Sequence, residues 1–182
     1  MHRIKAYHSG TVMVSGTPVS LKAVNELFAE VLENKKRILE GASSVEHHID
    51  VIVSRHFFPI VSEKSADFDS MILRSDWCSF AAKRKLLGWI VESRNLLDGS
   101  DRNKYTKLLR DMMAYRNAFA HGVLSTDGIL AFLSYFEGVP RKQELNDDLW
   151  RKVETILMDA HAMTLRVAQL AGAMTPPTTV IP

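Results

Sequence analysis

The sequence predicts an all-α fold of about five to six helices with a small β-hairpin. Apolar residues recur at helical spacing along most of the chain. Capping residues and glycine or proline stops bound these stretches, and one short apolar run between two turn signals is typical of a strand. The chain has 182 residues, 46% of them hydrophobic, which is enough to bury a core. We therefore expect an extended arm at 1–18, one helical domain at 19–172 and a flexible tail at 173–182.

The first half of the chain predicts three helices after a β-like run at 11–15. Ser20 is a plausible N-cap for the first helix, and Gly41 is expected to end it. A second helix should begin at Ser43 or Ser44 and stop at Pro59. A third is expected at about 65–77.

The second half predicts three more helices and the hairpin. The fourth helix is expected at 79–97, closed by Asp98-Gly99-Ser100. The fifth should run from an N-cap at Asp101 to Gly122. The apolar run 129–136 lies between two turn signals and predicts the hairpin. Asn146 or Asp147 should cap a last helix that reaches about residue 171.

Charge and cysteine content exclude several classes of protein. The net charge of +2 argues against a protein that coats nucleic acid through bulk charge. Cys78 is the only cysteine, so an intrachain disulfide is impossible. We find no signal peptide, no apolar run of membrane-spanning length, no phosphate-binding glycine loop and no G-x-S-x-G elbow. A cytoplasmic location is the expectation, without a cofactor.

The fifth helix carries an unusual set of polar residues near its end. Arg116 falls on the predicted apolar stripe, between Met112 and Phe119. An unpaired guanidinium is strongly unfavourable in a core, so we expect Arg116 to face a carboxylate or a cleft. Asn117 follows it directly, and His121 comes one helical turn later. A permanent cation, an amide and a titratable imidazole are thus predicted at one helix terminus.

This segment resembles the R-then-four-to-six-residues-then-H motif of the HEPN superfamily, including a polar residue directly after the arginine. The stretch from Ser79 to Leu87 is similar to the preceding helix of HEPN-like proteins, relatives of the mannitol repressor among them. The resemblance covers roughly residues 79–122. It implies an up-and-down helical bundle that dimerises, and in many members a metal-independent endoribonuclease. Several such proteins are toxins paired with a nucleotidyltransferase-like antitoxin.

The resemblance suggests a role for each motif residue. His121 would act as general acid or base, because its ordinary pKa of about 6.5 suits proton transfer near neutrality. Arg116 would hold the scissile phosphate, and Asn117 would orient the histidine or the phosphate. At 100° per residue, Arg116 and His121 point about 140° apart on one helix. Two copies related by a twofold axis could supply a convergent set.

Other interpretations of the same residues stay open. A histidine in a last helical turn interacts well with the helix dipole, and Arg116 could form an ordinary ion pair. The chain could then be a HEPN-like regulatory or interaction domain without chemistry. A DNA-binding repressor is a third possibility, but the sequence lacks a recognisable helix-turn-helix.

Four further residues could contact RNA, although such charges are often simply a solvated helix face. They are Lys104, Lys107, Arg110 and Tyr115.

The basic run 83–85 is expected to be solvated, Arg94 to close an ion pair or line a cleft, and Cys78 to be a small core residue. The stretch 46–56 contains histidines and carboxylates, but no complete metal-ligand set is visible.

Overall fold

The computed structural model describes residues 11–14, 17–127 and 129–173. The predicted tail beyond residue 173 and the first ten residues of the arm lie outside this part of the chain. The described residues are mostly helical, as expected, with a small β part. The helices are α1 Leu21–Phe57, α2 Glu63–Asp67, α3 Phe80–Ser93, α4 Gly99–His121 and α5 Asp147–Leu170. The strands are β1 Thr11–Val14, β2 Thr17–Ser20, β3 Val123–Thr126, β4 Ala131–Glu137 and β5 Val139–Glu144.

The chain divides into two compact units. The first, called the sheet unit, comprises the described residues up to 39 together with 115–154. The second, called the helical unit, comprises 40–114 and the described residues from 155 onward. The predicted division into arm, domain and tail stays a prediction.

Helix α1 corrects the prediction of two separate helices in this part of the chain. It runs for 37 residues straight through Gly41, where we expected an end. The buried positions Ile38, Ala42, Val45 and Ile49 keep their helical spacing across the glycine. A Cβ at Gly41 would make only ordinary contact with a methyl of Leu157, at 3.6 Å. An unbroken apolar stripe therefore outweighs the roughly 1 kcal/mol that a glycine costs inside a helix.

The helical unit has an apolar core drawn from α1, α3, α4 and α5. Its fully buried members include Val45, Ile49, Ile52, Leu87, Ile90, Leu109, Met112, Ala160 and Val167. Cys78 is half-buried and packs against this core, and burial raises the pKa of its thiol. Arg94, expected in an ion pair or a cleft, instead donates to the carbonyl oxygen of Ala171 at 3.0 Å, just beyond the end of α5.

The C-terminal end of α3 and the N-terminal cap of α4 differ from the prediction. Helix α3 begins beside the predicted start, and Ser79 caps it by accepting from the amide of Ala82 at 3.3 Å. Helix α3 ends at Ser93, earlier than expected, and Asn95 follows with a left-handed φ of 51°. Asp98 then caps the next helix by accepting from the Asp101 amide at 2.8 Å. The predicted N-cap Asp101 therefore lies in the first turn, where its charge favours the helix dipole.

The third predicted helix is short and ends in a π-helical segment. A capping box between Ser62 and Ser65 starts α2. After Asp67 the chain continues as a π-helix at Phe68–Leu73, so the predicted helix at 65–77 is shorter and wider than expected. Leu73 is fully buried, whereas Met71 and Ile72 are exposed.

The sheet unit contains more β-structure than the predicted hairpin. Strands β3, β4 and β5 form an antiparallel sheet in that order, with Val123 opposite Ser134 and Phe136 opposite Pro140. Gly138, at φ 69°, makes the tight turn between β4 and β5. Strands β1 and β2 form a separate two-stranded pair. Asn146 caps α5 as predicted, accepting from the Leu149 amide at 3.0 Å.

Candidate functional site

The motif residues lie at the end of α4, in the sheet unit. The helix ends at His121, and Gly122 donates its amide proton to the carbonyl of Ala118 at 2.8 Å. A Cβ at Gly122 would press against that carbonyl oxygen and come within 2.6 Å of Leu133. Glycine is required here because the chain must turn directly from α4 into β3, under a side chain of β4. The end of the motif helix is thus tied to the sheet.

Arg116 does not lie on the buried face of α4, which corrects the expectation drawn from its spacing. Its side chain is exposed, and its guanidinium donates to the Asn117 side-chain oxygen at 3.1 Å. The buried face of this last part of the helix is formed by Ala118 and Phe119. Those two positions are centred about 110° away from Arg116, so the apolar stripe turns around the helix before it ends. Within the described chain, no carboxylate pairs with Arg116.

His121 is also exposed, at the last position of the helix. Among the described residues it forms neither a hydrogen bond nor an ion pair. Arg116 and Asn117 are joined by a hydrogen bond, whereas His121 stays apart from them. One copy of the chain therefore presents the cation and the imidazole to solvent on different sides of the same helix end.

The predicted RNA-contacting residues fall into two groups. Lys104, Lys107 and Arg110 are exposed on α4 within the helical unit, and Arg110 lies 3.6 Å from the carboxylate of Asp111. Tyr115 belongs to the sheet unit with the motif, where it is half-buried and has the Lys152 ammonium 6.0 Å from its ring centroid. Tyr115 is thus the member of the predicted set that shares a compact unit with the motif.

Lys83 corrects the expectation that the run 83–85 is solvated. Its side chain is 5% exposed, and its ammonium lies 2.8 Å from Glu46 and 3.0 Å from Asp50. Burial alone would lower the pKa of Lys83, but the hydrogen bonds to these two carboxylates raise it above its ordinary value. Burial raises the pKa of Asp50, and the hydrogen bond and charge of Lys83 partly offset that rise. The pairing joins α1 to α3 and was invisible in the local sequence.

The histidines of α1 do not form a metal site with these carboxylates. Glu46 and Asp50 are occupied by Lys83, and His48 uses Nδ1 to bond the carbonyl of Ser44 at 2.7 Å. The ring of His48 lies 5.1 Å from that of His161, centroid to centroid. In the part of the chain that the structure describes, no group of three or more histidine, cysteine or carboxylate side chains is placed to hold a metal ion.

The helical unit also exposes a surface of aromatic and aliphatic side chains, which sequence reasoning missed. The rings of Phe57 and Trp89 are stacked, with centroids 6.4 Å apart and planes 7° apart. His56 contacts the edge of Trp89, and Phe68 contacts Phe57. We call Phe57, Trp89, His56 and Phe68 the aromatic surface. Further exposed apolar residues in the same stretch of sequence are Ile60, Val61, Met71, Ile72 and Trp77. The signal of the aromatic surface in the sequence is the run 57–61, which is apolar without helical phase.

Comparisons of the chain with protein-family models, curated proteins and solved structures gave no match. The HEPN resemblance therefore depends on the motif residues and their place at a helix end. Within residues 11–14, 17–127 and 129–173, no helix is both long and apolar enough to cross a membrane.

Proposed function

We propose that this chain is a metal-independent endoribonuclease of HEPN type that acts as a homodimer in the cytoplasm. One observation supports this most strongly. The side chains of Arg116 and His121 are both exposed at the end of one helix, and no carboxylate of the described residues pairs with either. Both side chains are therefore accessible to a bound phosphate. The exposed side chains of Arg116 and His121 at this helix end are accessible to a second copy.

The proposed reaction is transesterification at a phosphodiester of RNA. A histidine removes the proton of the 2′-hydroxyl, and the 2′ oxygen forms a new bond to phosphorus. The bond from phosphorus to the 5′ oxygen breaks, and the leaving oxygen takes a proton from water. Arg116 stabilises the extra negative charge on the phosphate, and Asn117 holds the guanidinium in place. The products are a 2′,3′-cyclic phosphate and a free 5′-hydroxyl.

Two copies are needed because one helix cannot aim both groups at the same phosphate. Five positions along an α-helix turn a side chain by about 140°. A twofold axis beside the helix end would place Arg116 of one copy near His121 of the other. A nucleotidyltransferase-like antitoxin is the expected additional partner if the chain is the toxin of a two-gene module.

The test is cleavage of a labelled single-stranded RNA in excess EDTA by the wild-type protein, Arg116→Ala and His121→Ala. His47→Ala is the matched control, because His47 is also an exposed histidine but lies in the helical unit. We expect cleavage by the wild type and by His47→Ala, with a loss of at least 100-fold in the two motif variants. Equal cleavage by all four proteins would assign the activity to a contaminant or another site.

A mixing experiment tests the composite site separately. If each site takes Arg116 from one copy and His121 from the other, a heterodimer of the two inactive variants keeps one intact site. An equal mixture, dissociated and reassembled, should then recover about a quarter of the wild-type rate. A mixture that stays inactive would show that both groups act from the same chain.

A second candidate function is a non-catalytic HEPN-like regulatory or interaction domain. The aromatic surface favours it, because the stacked rings of Phe57 and Trp89 are each about half exposed and exposed apolar patches commonly mark binding sites for other proteins. Absence of cleavage across several RNAs, together with a stable complex through this surface, would make the second function the better one.

A further inference from the structure

A groove in the helical unit lies between helices α3 and α4, separate from the motif residues. It encloses about 230 Å³. Its lining residues come from both helices and are Arg84, Lys85, Leu87, Gly88, Val91, Arg102, Tyr105, Thr106 and Leu109. All of them belong to one compact unit. The groove is thus a local feature of two consecutive helices.

The floor of the groove is apolar. Leu87, Val91 and Leu109 are almost fully buried in the core and close the groove from below. Tyr105 presents only its ring, because its hydroxyl is bonded to Thr164 at 2.8 Å within the core. A ligand seated on this floor would gain from contact with hydrocarbon and would find few polar partners there.

One wall of the groove is open because it carries a glycine. Gly88 lies in the middle of α3, where a glycine destabilises the helix by roughly 1 kcal/mol relative to alanine. A Cβ built on Gly88 would meet no atom within 4 Å. The missing side chain therefore leaves this part of the groove wall open.

The rim of the groove is cationic. Arg84, Lys85 and Arg102 line it, and one carboxylate, Glu92, neutralises Arg102 across 3.2 Å. Neither Arg84 nor Lys85 pairs with a carboxylate of the described residues. Arg84 is half-buried, so its charge is held close to the groove rather than fully in solvent. Two uncompensated positive charges therefore stand over an apolar floor.

We propose that this groove binds a small amphipathic carboxylate, with its acidic group at Arg84 and Lys85 and its apolar body on the floor. A volume of about 230 Å³ suits a small ligand, since pockets for drug-sized ligands measure about 300–1,000 Å³. A medium-chain fatty acid or an aryl carboxylate combines an acidic group with an apolar body of this kind. A nucleotide fits less well, because the floor offers a base no hydrogen-bonding partner of its own. The proposal does not depend on the proposed ribonuclease activity.

The test measures octanoate binding to the whole protein by calorimetry, with octanol as the uncharged comparison. The blocking variant is Gly88→Leu, which should fill the groove without a clash because its Cβ enters open space. The matched control is Gly99→Leu, another exposed helical glycine whose Cβ would meet nothing within 4 Å and which does not line the groove. Thermal unfolding of each variant checks that the fold is kept.

We expect the wild type and Gly99→Leu to bind octanoate saturably, and Gly88→Leu to bind it at least about tenfold more weakly. Arg84→Ala should weaken octanoate binding while leaving octanol binding unchanged, and added salt should act in the same direction. Three results would overturn the proposal. They are unchanged binding by Gly88→Leu, equal binding of octanol and octanoate by the wild type, and no saturable octanoate binding at millimolar concentration.

Discussion

The phenol of Tyr105 donates its proton to the side-chain oxygen of Thr164, 2.8 Å away and fully inside the helical unit. The direction of this bond follows from the second bond that Thr164 makes. Its hydroxyl donates to the carbonyl of Ala160 at 2.7 Å, which uses its single proton. Thr164 can therefore only accept from Tyr105. Burial, with Thr164 as the only opposing influence, raises the pKa of the phenol above its ordinary value.

Removing the acceptor should cost more than removing the donor. Thr164→Val leaves the Tyr105 hydroxyl buried without a partner, which should lower the free energy of unfolding by about 1–3 kcal/mol. Tyr105→Phe removes the hydroxyl itself and should cost only about 0.5–1.5 kcal/mol. Urea unfolding followed by circular dichroism measures both. The double variant should be more stable than Thr164→Val alone, and a simple sum of the two losses would contradict the coupling of these two hydroxyls through one hydrogen bond.

Lys83 should be essential to the stability of the helical unit. Lys83→Met leaves Glu46 and Asp50 facing each other without a counter-charge. Because both carboxylates keep some contact with solvent, we expect a loss of about 2–4 kcal/mol rather than the full cost of a sealed charge. Adding Glu46→Gln and Asp50→Asn to Lys83→Met should recover most of it. If the triple variant is no more stable than Lys83→Met, the loss comes from the packing of the lysine side chain and not from its charge.

The same lysine has a defined pH signature. Its folded pKa is raised above the ordinary 10.5. Its contribution to stability should therefore be fully present below pH 10.5 and be lost as the pH rises through the higher folded value. Unfolding measured at alkaline pH should show a steeper loss for the wild type than for Lys83→Met. Parallel curves for the two proteins would contradict this.

The turn between β3 and β4 should weaken in acid. The side chain of Asp127 accepts from the amides of Leu130 and Ile129 at 2.8 and 3.0 Å, and these bonds lower the pKa of its carboxyl below 3.8. The stabilisation is present above pH 3.8 and is lost as the pH falls through the folded pKa. Amide shifts of Ile129 and Leu130 should follow that titration. In Asp127→Asn, which keeps an acceptor but does not ionise, the shifts should stay constant over the same range.

Gly41 provides a test of the continuity of α1. Gly41→Ala should raise the free energy of unfolding by about 0.5–1 kcal/mol, because alanine favours the helix and its Cβ makes ordinary contact with Leu157. If Gly41 instead ended a helix in the left-handed conformation, Gly41→Ala would lower the free energy of unfolding. The urea midpoint of the variant, compared with the wild type, decides between the two.

Gly122 should tolerate no side chain. Gly122→Ala brings a Cβ against the Ala118 carbonyl and within 2.6 Å of Leu133, so we expect a loss of about 1–3 kcal/mol. Gly99→Ala is the control, because nothing lies within 4 Å of its Cβ. If the two variants unfolded at the same temperature, the close approach of α4 to the sheet would be contradicted.

Local signals predicted most of the elements but not their partners. Asn146 caps α5 as predicted, because a cap needs only residues within one turn. The third strand was missed because residues 139–144 are polar and include Pro140. A proline is accepted there because β5 is an edge strand, whose amides do not all need partners.

From the sequence, the candidate site could be predicted only to the level of the helix that carries it. The motif positions and the end at Gly122 followed from the sequence, whereas the exposure of Arg116 did not, because the stripe turns at Ala118 and Phe119. Lys83 shows the same limit. A basic run of three residues is usually solvated. The burial of Lys83 depends on carboxylates more than thirty positions earlier in the chain.

The groove between α3 and α4 has a consequence for how the chain acquires its shape. Five residues separate Ser93 from Gly99, so the two walls lie close together along the chain. A loop of that size closes within about 100 ns, long before distant segments meet. During synthesis both walls are completed before any residue of α5 is added. The Tyr105 hydroxyl must then remain hydrated until Thr164 arrives, 59 residues later, to complete the core beneath the groove.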